Sequence, residues 1–286
     1  MIAQIKRFIK SHEECAVSTF PAMKAVFMVA FLTGIIISVV SAPDGMLDVR
    51  IRLQHLSFFF LSLLSIVING LLLKKLLQFG GIKTNIRETL RESASSSLAS
   101  VIPVFGTVGY KYLYLRSSNM GSRKAIHGLM LSSATFVLVV MYIGVLGFKF
   151  AYYGAHLLFG FFLALAVTGL LWTLLSGSLK FVCTLIGLHF ALLGIEMMRL
   201  RICFDLLNSE ISFDNIAVLQ IANLTSIVGS ASPGGIGVKE LGGALLAWGL
   251  EISPGLVFVA FSLNRIIGLI ILTLFVTFMT FYEKKN

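Results

Sequence analysis

Charge is what this chain has least of: only 13% of its 286 residues are Asp, Glu, Lys or Arg. A soluble domain carries about 25%, so there is too little polar material here to cover a water-facing surface. Acidic residues are the scarcer sign, 13 against 23 Lys and Arg. No two carboxylates stand at a spacing suited to acid–base or metal-assisted chemistry. Cys15, Cys183 and Cys203 have neither metal-ligand spacing nor an even count, which excludes a disulfide framework and leaves them as small hydrophobes. His127, His156 and His189 fall at different places along separate apolar runs and form no ligand set. No cofactor and no metal is expected.

What the chain has instead is apolar length. Hydrophobic residues make up 57% and the mean hydropathy is +0.93. Continuous runs at Met23–Val40, Leu56–Leu73, Ile126–Gly147, Leu157–Leu175 and Leu256–Phe281 approach or exceed the roughly 20 residues a helix needs to cross a bilayer. Backbone groups in lipid must be satisfied internally, which leaves helices or closed barrels, and runs without alternation are helices. The net charge of +10 does not indicate nucleic-acid binding. The basic residues lie between apolar runs and no aromatic platform for bases is interleaved with them. They read as orientation signals.

The chain is therefore expected to be an all-α, polytopic membrane protein. Full spans are read near 23–42, 55–73, 125–147, 153–175, 179–198 and 255–281. The first is read as an uncleaved span rather than a signal peptide, because Pro43 follows the small pair Ser41-Ala42. Ahead of it, residues 1–22 place Ile2, Ile5, Phe8 and Ile9 on one helical face against Lys6, Arg7 and Lys10, as in a basic helix on a membrane surface. Two further segments read as broken helices. Glu88–Arg116 is interrupted at Pro103, Gly106 and Gly109, and Asp214–Gly249 at Ser232-Pro233-Gly234-Gly235-Ile236-Gly237.

If both broken segments return to the side they entered, most of the Lys and Arg residues fall on one side of the membrane, as the positive-inside rule requires. Residues 23–147 then read span, span, broken hairpin, span, and residues 153–281 read the same way. An odd number of spans per unit turns the second unit upside down. The expected architecture is about six transmembrane helices plus two re-entrant broken hairpins in an inverted-topology repeat, with residues 282–286 as a cytoplasmic tail. Such repeats place substrate sites at the paired breaks.

The glycines at 234, 235 and 237 free backbone N–H groups to converge, and a helix starting near Val238 would aim its positive end at the same point. Lys239 adds a mobile charge and Glu240 its counter-ion; a tight packing turn with an interfacial Lys–Glu pair is the competing reading. In the first half, Pro103, Gly106, Gly109, Lys111 and Arg116 play the corresponding part. Arg265 lies early in the last apolar run, where charge is expensive and usually functional. Glu196 and Arg199, at i and i+3, read as a structural helical ion pair, and Asn69 and Gln78 as packing or interfacial groups.

Pro233-Gly234-Gly235-Ile236-Gly237-Val238-Lys239-Glu240 resembles the Pro-Gly-Gly-(Leu/Ile)-Gly-Val-Arg-Glu signature of the transmembrane region of lysylphosphatidylglycerol synthases and their stand-alone flippase-like relatives. The break from Pro103 to Arg116 and Arg265 in the last run are similar to that family as well. Lys239 stands where the family usually has Arg, and Gly109-Tyr110 where an acidic residue is often found. The resemblance implies movement of a phospholipid or polyprenyl-phosphate type headgroup across the cytoplasmic membrane. It implies no lipid synthesis here, since only Glu283-Lys284-Lys285-Asn286 follow the last run. A membrane-embedded glycosyl- or phospho-transferase, or a non-transporting subunit of an envelope-lipid pathway, stays open. The implied partner is a membrane lipid or lipid-linked substrate; a homo-oligomer or partners in envelope synthesis are compatible with it. Both termini are expected on the cytoplasmic side of the inner membrane.

That topology gives a direct test. In a cysteine-free background, cysteines at Ser118 and Lys284 are expected to be shielded from a membrane-impermeant thiol reagent in intact cells, whereas one at Asp44 reacts. Labelling at Ser118 but not at Lys284 means that the first broken segment crosses the bilayer.

Overall fold

The computed structural model describes residues 56–99, 106–147, 179–228 and 238–285. Among these, 88% are helical and none is in a strand. In chain order the helices are α1 (Leu56–Phe79), α2 (Ile86–Ala99), α3 (Gly106–Ser117), α4 (Ser122–Gly147), α5 (Leu179–Leu206), α6 (Phe213–Leu219), α7 (Ala222–Val228), α8 (Val238–Gly249) and α9 (Pro254–Lys285). Helices α1, α4, α5 and α9 are long and apolar enough to cross a membrane. At about 1.5 Å per residue, the 14 residues of α2 and the 12 each of α3 and α8 fall short of a 30 Å hydrocarbon core. Large apolar side chains such as Phe60, Leu274, Phe278 and Phe281 face outward, as a lipid-facing surface requires.

Four of the six expected spans are thus helices, and the runs at 23–42 and 153–175, with residues 1–22, lie outside the described residues. All four are longer than expected, α4 beginning at Ser122 and α9 ending at Lys285. Helix α1 continues past Leu73 through Lys74 and Lys75 to Phe79. Helix α5 continues past Met198 to Leu206, because Glu196 and Arg199 neutralise each other instead of ending the apolar run. The breaks differ as well. Gly106 opens α3 and Gly109 lies within it, so neither interrupts that helix. Pro103, Pro233, Gly234, Gly235 and Gly237 lie outside the described residues. The second segment carries a break that the sequence reading did not include, at Gln220-Ile221 between α6 and α7.

Pairwise contacts fix the direction of each helix. Phe79 stacks on Phe181 at 4.8 Å, and the Arg199 guanidinium lies 4.8 Å from the Phe58 ring, so α1 and α5 run antiparallel. Phe79 also meets His127 edge-on at 5.7 Å, and Gly80 abuts Met120, so the end of α1 lies beside the start of α4. Arg87 sits over the Tyr282 ring at 4.4 Å, which brings the end of α9 to the same place. This end of the bundle carries Lys74, Lys75, Lys83, Arg123, Lys124 and Lys180. The other end gathers the end of α5 and the start of α9, joined through Phe204, Val257, Ala260 and Phe261. It carries Glu210, Asp214 and Glu251.

Both ends of the α2–α3 pair meet the basic end of the bundle. Tyr110 donates to Glu92 at 2.9 Å and Tyr114 to Glu88 at 3.0 Å, two rungs that make α2 and α3 antiparallel. Leu90 of α2 packs onto Gly70 of α1, and Ala94 clusters with Ile66, so α2 climbs back along α1 toward the interior. The segment from α6 to α8 starts and finishes at the opposite, acidic end. There α4 approaches α6 closely: a Cβ on Gly147 would run into the Asp214 carbonyl, and one on Gly144 into the Ile221 side chain.

The turns at these roots share one local chemistry. Helices α1, α3, α5 and α8 end on residues with positive φ: Gly81 (83°), Asn119 (64°), Asn208 (53°) and Glu251 (57°). In each, the next N–H bonds back to a carbonyl five residues earlier: Ile82 to Leu77, Met120 to Leu115, Ser209 to Phe204 and Ile252 to Ala247. These are left-handed C-caps of Schellman type. Four residues after the first and third caps come N-cap side chains, Asn85 accepting from Arg87 N and Ser212 from Asn215 N. Glycine and asparagine tolerate the left-handed region; glutamate does so at a cost of about 1–2 kcal/mol. Glu251→Gly is therefore expected to raise stability by about 1 kcal/mol, read from a detergent-solubilised unfolding curve, while the same change at Trp248, within α8, lowers it.

Candidate functional site

Ionisable side chains inside an apolar bundle must be neutralised, and one carboxylate does most of that here. Glu196, on α5, accepts from Lys239 Nζ at 2.7 Å and from Asn264 Nδ2 at 3.0 Å through the same oxygen. Its other oxygen lies 3.6 Å from Arg199 NH1. Arg199 NH2 donates to the Asn264 carbonyl at 3.0 Å. One carboxylate thus ties α5 to α8 and α9. Beside it, Arg265 of α9 donates to Glu240 of α8 at 2.8 Å, and only 4% of the Glu240 side chain is exposed. Aromatic faces cover the cations: Lys239 lies 5.2 Å from the Phe261 ring centroid, and Arg199 lies over Phe58.

A cleft of about 220 Å³ opens beside this network, between α1, α2, α5 and α9. Arg199 and Arg265 line one wall, and Gly268 belongs to the same wall. A Cβ on Gly268 would strike Arg199 NH2, so only glycine lets the guanidinium lie flat against α9. The facing wall comes from α1 and α2: Ser62, Ser65, Asn69, Ser93 and Ser97. The serine-rich sequence of α2 thereby supplies a polar face turned toward the inside of the bundle. Three buried atoms on these walls make no hydrogen bond: Ser62 Oγ, Ser93 Oγ and Arg199 Nε. All three can donate. The charged groups gathered here are three cations and two carboxylates, so the cleft carries one positive charge in excess. Unused donors with excess positive charge suit an anion.

Comparison of the chain with protein-family models, with curated proteins and with solved structures gives no match in any of the three.

The sequence-derived residues divide into three groups. Lys239, Glu240 and Arg265 meet in the network, and Arg265 reaches the cleft. Lys111 stands apart, within electrostatic reach of His189 rather than of the cleft. Arg116 is exposed at the basic end and donates to the Met120 carbonyl at 2.8 Å, closing the turn after α3. Gly106 and Gly109 lie on α3, and the remaining sequence candidates fall outside the described residues. The sequence reading gave Glu196 and Arg199 to one another as a helical pair. The pair exists, and its larger role is to hold Lys239 and Asn264. Ser62, Ser65, Ser93 and Ser97 carried no signal beyond an unusual serine density, and Asn264 none beyond its neighbour Arg265. Among the described residues no group of three metal-ligating side chains is found.

The Arg265–Glu240 bond predicts strong coupling. Removing one member of a buried pair strands the other, at a cost of about 3–5 kcal/mol. Glu240→Gln and Arg265→Gln are each expected to destabilise the protein by that order, and the double variant by clearly less than the sum. Unfolding of the purified protein in detergent measures all three, and additive losses would show that the two side chains act independently.

Proposed function

We propose that this protein is a lipid transporter of flippase type, which moves an anionic phospholipid or lipid-linked phosphate headgroup across the cytoplasmic membrane. The observation that carries this reading is the cleft: Arg199, Arg265 and unsatisfied serine hydroxyls lie inside an apolar bundle, while the flanking surface is apolar enough for a lipid tail. A headgroup in such a cleft exchanges water for charge-assisted hydrogen bonds, and its tail never leaves lipid.

The architecture read with this function is an inverted-topology repeat of six spans and two re-entrant hairpins. Its support is threefold. The two short-helix segments are rooted at opposite ends of the bundle. Their caps match in order, with Gly81 and Asn85 in the first half answered by Asn208 and Ser212 in the second. The exits match too, since α4 and α9 each begin three residues after a left-handed cap. Basic residues at one end and acidic residues at the other favour a cytoplasmic basic end. On this reading the C-terminus lies inside and the first hairpin enters from the cytoplasm. Secondary transporters use this plan to alternate access around a central site.

The test is reconstitution. Liposomes containing the purified protein and a headgroup-labelled phosphatidylglycerol are treated with a membrane-impermeant quencher, and the rate at which inner-leaflet label becomes accessible is recorded. The wild-type protein is expected to accelerate exchange. The Glu240→Gln/Arg265→Gln double variant, which removes one charge of each sign and leaves the net charge of the network unchanged, is expected to be slower by about tenfold or more, the loss of one charge-assisted contact. Exchange no faster than in protein-free liposomes removes the transport reading, and a wild-type rate in the double variant removes the cleft from it.

A further inference from the structure

We infer that Lys111 and His189 form a second anion site, between α3, α4 and α5 and separate from the cleft, that takes a singly charged phosphate ester. The choice of ligand rests on the transport reading; the site itself rests on the side chains.

Lys111 lies four residues before Leu115 and so on the same face of α3. Leu115 is fully buried, packed with Leu73, Leu76, Leu77 and Leu129 of α1 and α4. Lys111 therefore enters the bundle from that face and is only partly exposed. Every other inward cation described above has a carboxylate: Lys239 and Arg199 have Glu196, and Arg265 has Glu240. Among the described residues nothing hydrogen-bonds or ion-pairs with the Lys111 amine. An ammonium partly withdrawn from water without a counter-ion is unfavourable. A ligand that brings negative charge removes the deficit.

His189 supplies the second, independent sign. It is 5% exposed. Its Nε2 lies 3.4 Å from Ser132 Oγ, and its ring packs edge-on against Phe136 at 5.5 Å, which fix its position. Its Nδ1 is buried and has no partner. With the Ser132 hydroxyl donating to Nε2, Nδ1 carries the ring proton, so the histidine gives one unused donor and the neighbouring lysine one charge, the pair of contacts that a phosphate ester accepts.

The position relates the site to the cleft. Glu196 lies seven residues after His189, two turns along α5 on the same face and about 10 Å away. Lys111 is carried by the first hairpin and Lys239 by the α8 segment. The two lysines thus meet one face of α5 at successive stations, Lys111 beside His189 and Lys239 at Glu196.

The experiment counts bound ligands. Full-length protein in detergent is titrated with dihexanoyl-phosphatidylglycerol and, in parallel, with glycerol 1-phosphate, and the bound number is read by native mass spectrometry. Wild type is expected to bind two lipids, Lys111→Gln one, Glu240→Gln/Arg265→Gln one, and the combined variant none. Lys111→Arg keeps the charge and is expected to bind two, which shows that the position tolerates substitution. Two lipids on Lys111→Gln overturn the second site and leave the cleft intact. One lipid on wild type, lost in the Arg265 double variant, does the same. No lipid on wild type overturns this inference, and the flip assay then judges the transport reading separately. Glycerol 1-phosphate bound by wild type but not by Lys111→Gln keeps the site and overturns lipid as its source.

Discussion

A carboxylate with three partners organises this protein. Glu196 lies in a helix that the surrounding lipid would otherwise forbid to carry charge. By accepting from Lys239 and Asn264 and facing Arg199, it allows α5, α8 and α9 to converge with cations at their meeting point. The hydrophobic material around it, with Phe204, Val257 and Phe261 at its centre, packs α5 and α9 without reference to charge. The network adds register: a slip of one residue along α5 would turn Glu196 away from Lys239 and leave that lysine in the interior without its carboxylate. Such specificity is the best attested use of buried ion pairs, whose net stability is often small.

The same network sets the chemistry of the cleft. Arg265 and Arg199 are held by carboxylates behind them, so they present charge to the cleft without needing water to stabilise it. On the proposed reading a headgroup would meet a preformed wall of donors, with little ordering left for it to impose. On the other wall the donors are serines, small enough to let α2 lie close to α1, where Gly70 already admits Leu90. Close packing and polar lining come from the same choice of small residues.

The long helices were legible because apolar runs of spanning length have one solution in lipid. Their ends were less so. Lys74 and Lys75 look like a boundary, yet the helix runs through them and on to Phe79. Glu196 and Arg199 looked like a pair closed on itself because sequence shows only neighbours along the chain. The partners that matter, Lys239 and Asn264, lie 43 and 68 residues away. Arg265 announced itself as a charge in an apolar run. The serines of the cleft did not, since a serine is equally at home in a cap, a loop or a helix packed closely on another. Gly109 misled for a related reason: freedom to break a helix is not an instruction to do so, and Tyr110 and Tyr114 hold α3 together against α2.

Those two tyrosines have a mechanical consequence. Paired with Glu92 and Glu88 at successive turns, they bolt α2 to α3 along most of their shared length, so neither arm slides past the other without breaking two charge-assisted bonds. The pair is a lever with its fulcrum at the bundle's basic end. Its two roots lie at Gly81 and at Asn119, where the backbone adopts the left-handed conformation. A lever fixed in this way swings its far tip through the widest arc, and that tip carries Ser97 toward or away from the arginine wall. The rungs that make the hairpin stiff are therefore what would turn a small rotation at its base into an opening at its apex.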